Sequence, residues 1–115
     1  LVLVGLATSA PFRDAATGEG LRFAGEAFAD RRYEPNGSLQ SRSIPGSVLT
    51  DREAVALQAL SLARDGVVVA TDGSRLTVRA DTLCLHGDTP DAATLAQVVR
   101  ESLDAAGVAV RAFGR

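Results

Sequence analysis

The sequence has no methionine, no tryptophan and no lysine, and Cys84 is its only cysteine. A single cysteine excludes an internal disulfide and a thiolate metal cluster within the chain, and it suits a reducing compartment. We therefore expect a cytoplasmic protein. Because a complete translation product starts with methionine, we also expect these 115 residues to be a piece of a longer chain.

The sequence also lacks an excess of positive charge and any long apolar run. Its 12 basic residues, all arginine, stand against 14 acidic ones, and aromatic residues make up only 4%. A nucleic-acid-binding surface needs a basic excess with aromatic stacking platforms, so no nucleic-acid partner is predicted. The uncharged stretch over residues 1–12 is too short to span a bilayer and has no basic segment before it. Neither a transmembrane helix nor a signal peptide is predicted.

The residues that are present are typical of a folded domain, with 46% hydrophobic and 23% charged. Short apolar runs alternate with stretches of helical periodicity, which indicates βα units around a mostly parallel sheet in a single domain over residues 1–115. Strands are predicted at residues 1–6, 21–28, 82–86 and 108–110, helices at about 10–17, 50–64 and 90–106, and a β-hairpin over 66–79 with its turn at Asp72-Gly73.

Two helix starts have clear capping signals. Thr50 with Glu53 forms a T-x-x-E capping box, and Thr89-Pro90-Asp91 offers a cap, a first-turn proline and an acid for the last helix. The apolar face of that last helix is predicted to include Leu95, Val98, Val99, Leu103 and Ala106. Residues 30–45 are rich in turn formers, and loops of this length in compact domains are usually functional or ligand-facing.

His86 and Asp88 follow the predicted strand before the last helix. In open α/β sheets and barrels, working residues lie where strands end on the carboxyl side. His86 is the only histidine and can act as acid or base near neutral pH, while Gly87 permits a turn whose amides could hold an anion. The alternative is structural: a histidine with satisfied hydrogen bonds at a strand end, and Asp88 helping to cap the helix.

The second candidate region, residues 26–33, leaves the second strand. Glu26 is costly to bury in an apolar strand without a partner, and Asp30, Arg31 and Arg32 lie close enough in sequence to supply one. Either a structural ion pair or part of a site is possible, and arginine can hold a substrate carboxylate through two hydrogen bonds. Cys84, between two leucines, is expected to be a buried and inert thiol. One histidine and one aspartate are too few for a zinc site, so no metal is predicted.

Three segments resemble the LamB/YcsF family, the A subunits of prokaryotic ATP-dependent 5-oxoprolinases. They are EAFADRRY (26–33), LQSRSIPGSVL (39–49) and DTLCLHGDTP (81–90), and they occur in the order and at the spacing of the family. The likeness runs from the first strand to the end of the chain and matches the C-terminal portion of the family. We therefore expect residues 1–115 to be a C-terminal fragment of such a domain.

The resemblance implies a deformed β/α barrel of the glycoside hydrolase/deacetylase group, with the predicted hairpin as an insertion. It also implies cleavage of the lactam 5-oxoproline (pyroglutamate) to glutamate coupled to ATP hydrolysis, with subunits B and C as partners. Matching the family's polar positions, Glu26 or Asp88 would transfer a proton with help from His86, and Asp30 and Arg31 would bind substrate. Because the family's N-terminal motifs are missing, we expect the fragment to be inactive alone.

Two other functions stay open at this point. One is a metal-dependent, carbohydrate deacetylase-like hydrolase, in which His86 or Asp88 would ligate a divalent metal. The other is a non-catalytic interaction domain, in which the loop over residues 30–46 would dock a partner.

Overall fold

A parallel three-stranded sheet forms the centre of the fold. The computed structural model describes residues 1–88 and 91–112. Its elements, in chain order, are strand β1 (Val2–Leu6), helix α1 (Ala10–Gly18), strand β2 (Arg22–Phe28), helix α2 (Arg52–Leu60), strands β3 (Val67–Val69), β4 (Arg75–Thr77) and β5 (Thr82–Cys84), and helix α3 (Ala92–Ala105). The predicted mixed α/β fold with mostly parallel strands is confirmed.

Strand β2 is the middle strand, in the order β1-β2-β5. It pairs in parallel with β1 from Val2↔Arg22 to Leu6↔Glu26, and with β5 from Glu26↔Thr82 to Phe28↔Cys84. Within the described residues β1 and β5 have one strand neighbour each. The register brings the carboxyl ends of β2 and β5 side by side. In sequence they are separated by the loop that follows β2, by α2 and by the β3–β4 hairpin.

The predicted hairpin is confirmed. Strands β3 and β4 pair antiparallel from Val67↔Thr77 to Val69↔Arg75. Gly73 has φ +86°, a left-handed conformation that favours glycine in a tight turn. The backbone N–H of Gly73 donates to the Ala70 carbonyl at 2.9 Å, which closes the turn.

The prediction that Thr50 caps α2 is wrong, because Asp51 takes that role. The Asp51 carboxylate accepts the backbone N–H of Ala54 at 2.9 Å, and the helix begins at Arg52. A carboxylate is also favoured over a hydroxyl by the positive end of the helix dipole. After Leu60 the helix continues as a π-helical turn, Ser61–Asp65, which ends at Gly66 with φ +65°. The expected glycine stop is therefore confirmed.

The closing strand predicted over residues 108–110 is absent from the described structure. Gly107, with φ +77°, turns the chain after α3, and the Val108 N–H bonds back to the Leu103 carbonyl at 2.9 Å. This bond and the packing of Val108 against the helices hold the segment away from strand pairing. Ala106, predicted on the apolar face of α3, is exposed beyond the end of the helix. Thr89 and Pro90 lie outside the described residues.

Two apolar clusters support the sheet. One packs the hairpin against β2 and the other packs α2 against α3, with Leu83 of β5 in contact with both. The first contains Ala7, Ala27, Tyr33, Leu62, Val68 and Val78, and the second contains Ala29, Val55, Ala59, Leu95, Val99 and Leu103. No helix in the described part of the chain is both long and apolar enough to cross a membrane.

Candidate functional site

A buried carboxylate and the single histidine meet where β2 and β5 end. Just beyond β2, the Ala29 N–H donates to the Cys84 carbonyl at 3.2 Å, so the two strand ends stay together for one more residue. Asp30 follows and is only 1% exposed. Its Oδ2 accepts the backbone N–H of His86 at 2.8 Å, and both its oxygens lie 3.0 Å from Nδ1 of the His86 ring.

This contact orients the imidazole. With Nδ1 directed at Asp30, Nε2 lies on the opposite side of the ring, and the side chain is 19% exposed. The Phe28 ring stacks on the imidazole with centroids 5.5 Å apart and planes inclined by 17°. A neutral His86 that donates from Nδ1 to Asp30 keeps a lone pair on Nε2, which is the arrangement of a general base held by a carboxylate.

The loop after β2 is tied back on itself and keeps Asp30 in place. The Asp30 carbonyl accepts the Leu49 N–H at 2.7 Å, and the Arg32 N–H donates to the Ser47 carbonyl at 3.0 Å. Bridge pairs Arg31↔Val48 and Tyr33↔Leu39 continue this antiparallel contact. The predicted long loop is therefore an ordered segment that leaves the end of β2 and returns to hydrogen-bond with the residues just after that strand.

Tyr33 is a part of the site that the sequence did not reveal. It is completely buried, and its hydroxyl oxygen accepts the Phe28 N–H at 3.0 Å. Burial raises the pKa of Tyr33 above its ordinary value; the Phe28 N–H and Arg31 oppose this rise, and the charges of Glu26 and Asp30 add to it. The phenol therefore stays neutral at physiological pH. In the sequence Tyr33 is only the last residue of the segment 26–33, and no pattern there singles it out.

Glu26 and Cys84 are neighbours on one face of the sheet. The register places Glu26 opposite Thr82, so Cys84 lies diagonally across from it on the same face. Burial, then the charge and hydrogen bond of Glu26, and then the charge of Asp30 raise the pKa of the Cys84 thiol to about 11. A thiol with this pKa is neutral and a poor nucleophile. Among the described residues Glu26 forms no ion pair with Arg31 or Arg32.

Arg31 and Asp88 do not join the histidine contact. Arg31 is 7% exposed; one terminal nitrogen donates to the Gln40 carbonyl at 2.7 Å, and its Nε has no hydrogen-bond partner in the described structure. Asp88 is exposed and lies 3.8 Å from a terminal nitrogen of Arg42. Across the described residues, no group of three or more His, Cys, Asp or Glu side chains could hold a metal ion.

Comparison with known proteins places the chain in a family. The profile of the LamB/YcsF family matches residues 1–115. This chain belongs to the LamB/YcsF family. Relatives named as the A subunit of 5-oxoprolinase include a Chloroflexus aggregans protein, 50% identical over 96% of this chain, and a Mycobacterium avium protein, 48% identical over 98%. The chain spans 44% of the length of each.

A solved crystal structure shares the fold of this LamB/YcsF chain. It is that of a lactam utilization protein from Thermus thermophilus, and it is 47% identical with a TM-score of 0.89. The match covers 98% of this chain and 44% of that one. Asp30 and His86 lie in two of the three segments that carry the family resemblance, 26–33 and 81–90.

Proposed function

We propose that this chain supplies part of the active site in the A subunit of a 5-oxoprolinase, which opens the lactam of 5-oxoproline to give glutamate with hydrolysis of ATP. The observation that supports this proposal best is the Asp30–His86 contact at the carboxyl edge of the sheet. It occurs in a chain about half identical to proteins named as the A subunit of 5-oxoprolinase.

His86 has the chemistry that lactam opening needs. Water must lose a proton as it adds to the carbonyl carbon, and the ring nitrogen must gain one as its bond to that carbon breaks. Nε2 of His86 can take the first proton and return it to the leaving nitrogen, while Asp30 stabilises the intervening imidazolium. A lactam is a stabilised amide, so ATP supplies the driving force by activating its carbonyl oxygen.

The remaining predicted residues keep narrower roles in this proposal. Both Asp30 oxygens are occupied by His86, which favours orientation of the histidine over direct substrate binding. Glu26 is the second candidate for proton transfer, because it lies on the sheet face that also carries Phe28. Asp88 stays a third candidate for proton transfer, and Arg31 stays a candidate for binding the substrate carboxylate.

ATP and the partner subunits belong to the larger assembly in this proposal. We propose that ATP is consumed by the assembly as a whole, with subunits B and C as partners. We also propose a cytoplasmic location, a complete β/α barrel in the longer protein, and no activity for these residues alone. The single strand neighbours of β1 and β5, and the 44% coverage of relatives, support the last two points.

The test is ATP-dependent release of glutamate from 5-oxoproline by the full-length gene product that carries this chain, assayed with its partner subunits. We expect His86→Ala to lower kcat at least about a hundredfold, and the exposed Asp104→Asn to leave it unchanged. Full turnover by His86→Ala, with assembly lost on changes in the loop over residues 30–46, would instead support an interaction domain. A bound divalent metal with activity on an N-acetylated sugar would support the deacetylase alternative.

A further inference from the structure

We propose that Gln58, on helix α2, is a positioning residue for the reaction at His86. Its amide holds the backbone turn that carries Asp30, and through Asp30 it sets the orientation of the imidazole. This inference rests on the proposed function for its kinetic consequence, whereas its structural consequence can be measured without any enzyme activity.

The geometry of Gln58 spans the turn. Its Nε2 donates to the Phe28 carbonyl at 2.9 Å and to the Arg31 carbonyl at 2.7 Å. These carbonyls flank Ala29 and Asp30, so one side-chain nitrogen clamps the turn at both ends. Both hydrogens of the amide are used, and both bonds join positions 27 or more residues apart in sequence.

The helix that carries Gln58 is itself firmly anchored. Val55 and Ala59, on the same helix, are completely buried in the cluster that contains Ala29 and α3. A clamp from a packed helix restricts the turn more than a contact from within the loop, because the helix does not move with the loop. Asp30 is therefore held in position by α2 as well as by the sheet.

Phe28 transmits the same restraint from a second side. Its N–H donates to the Tyr33 hydroxyl, its carbonyl accepts from Gln58, and its ring stacks on His86. Gln58 therefore fixes the backbone of Phe28, whose ring packs on one face of the imidazole. It also fixes the turn that carries Asp30, whose carboxylate bonds Nδ1 of His86.

A neutral amide suits this position chemically. Only a group with two N–H donors on one atom can bond both carbonyls, which excludes glutamate and methionine. A lysine would supply donors, but its charge would lie close to Asp30 and compete with His86 for the carboxylate. Glutamine holds the turn through two neutral donors, so no added positive charge competes with His86 for the Asp30 carboxylate.

The test compares Gln58→Met, which is similar in size and has no donors, with Gln97→Met on the exposed side of α3, where Gln97 bonds only Glu101 in the described structure. In the full-length gene product, the His86 imidazole ¹⁵N signals are identified by their loss in His86→Gln. We expect Gln58→Met to shift and broaden these signals and to lower kcat about tenfold to a hundredfold. KM for 5-oxoproline should change less than about threefold, since substrate contacts are kept. Gln97→Met should match the parent in all three measurements.

Unchanged imidazole signals in folded Gln58→Met would overturn the proposal, as would a parental kcat with shifted signals. If Gln58→Met does not fold, Gln58→Asn retracts the amide by one methylene and provides the same comparison. The proposed function fails separately, if His86→Gln keeps full turnover. In that case the ¹⁵N signals of the Gln58 variants still decide whether Gln58 orients His86.

Discussion

Replacing Asp30 by asparagine should reverse the tautomer of His86 while the fold persists. The backbone N–H of His86, 2.8 Å from Oδ2, is a fixed donor that must face an oxygen. The amide oxygen of the introduced asparagine therefore takes the place of Oδ2, and its NH₂ group takes the place of Oδ1, 3.0 Å from Nδ1. A donor at that distance requires a lone pair on Nδ1, so the imidazole proton moves to Nε2.

The expected effect on stability is small and can be worked from the same contacts. Asparagine keeps both contacts with His86, but two hydrogen bonds to a charged group, each worth about 1.5–3 kcal/mol, become neutral bonds worth about 0.5–1.5 kcal/mol each. Removing a carboxylate that is 1% exposed also removes its desolvation cost. We expect the free energy of unfolding to fall by less than about 2 kcal/mol for Asp30→Asn. Asp30→Ala leaves both His86 donors unpaired and should lower it by roughly 2–5 kcal/mol.

The assay is simple because His86 is the only histidine in these 115 residues. Long-range ¹H–¹⁵N spectra of the chain, at a pH where the ring is neutral, distinguish protonated from unprotonated ring nitrogens. We expect protonated Nδ1 in the parent and protonated Nε2 in Asp30→Asn. Asp88→Asn makes the same chemical change two residues from His86, at an exposed position, and should keep the parental tautomer. The same tautomer in Asp30→Asn and the parent would refute the orienting role of Asp30.

Three further predictions follow from single contacts. Tyr33→Phe removes the buried acceptor of the Phe28 N–H and should lower the free energy of unfolding by about 1–3 kcal/mol in a urea titration, and a loss below the error of that titration would contradict the contact. Asp51→Ala should lower the free energy of unfolding by about 1 kcal/mol in the same titration, and Thr50→Ala should lower it much less. The reverse order would show that Thr50 is the cap of α2. Because the pKa of Cys84 is raised to about 11, iodoacetamide at pH 8.5 should alkylate the folded chain roughly a hundredfold more slowly than the urea-unfolded chain, and equal rates would show that the thiol is not shielded.

Local chemistry made much of the fold predictable. The hairpin follows from an Asp-Gly turn between a run of three valines and the segment Arg75-Leu76-Thr77, and Gly66 ends its helix because it adopts φ +65°. The wrong predictions concern positions where the sequence allows two local structures. Thr50 and Asp51 are both able caps, and only the geometry of the helix start selects the carboxylate. Val108 can join a strand or pack on helices, and tertiary contacts decide between them.

The site was predictable in its parts but not in its pairing. Strand ends pointed to residues 26–33 and 84–88, which include both Asp30 and His86. Their contact depends on β5 pairing directly with β2, and chain order does not specify that pairing when a hairpin intervenes. Gln58 had no sequence signal, because a half-buried glutamine in a helix is ordinary until the carbonyls it bonds are known.

The pairing of β5 with β2 also has a consequence for folding kinetics. Asp30 and His86 are 56 residues apart in sequence, and the length-dependent part of the entropy cost of closing such a loop is about 3.5 kcal/mol. The β3–β4 hairpin and the helices form through local contacts and need no such closure, so they should form in microseconds. Parallel strand pairing over a long separation is slow by comparison. The histidine site is then among the last features to assemble, and the ¹⁵N signals of His86 report completion of the sheet during refolding.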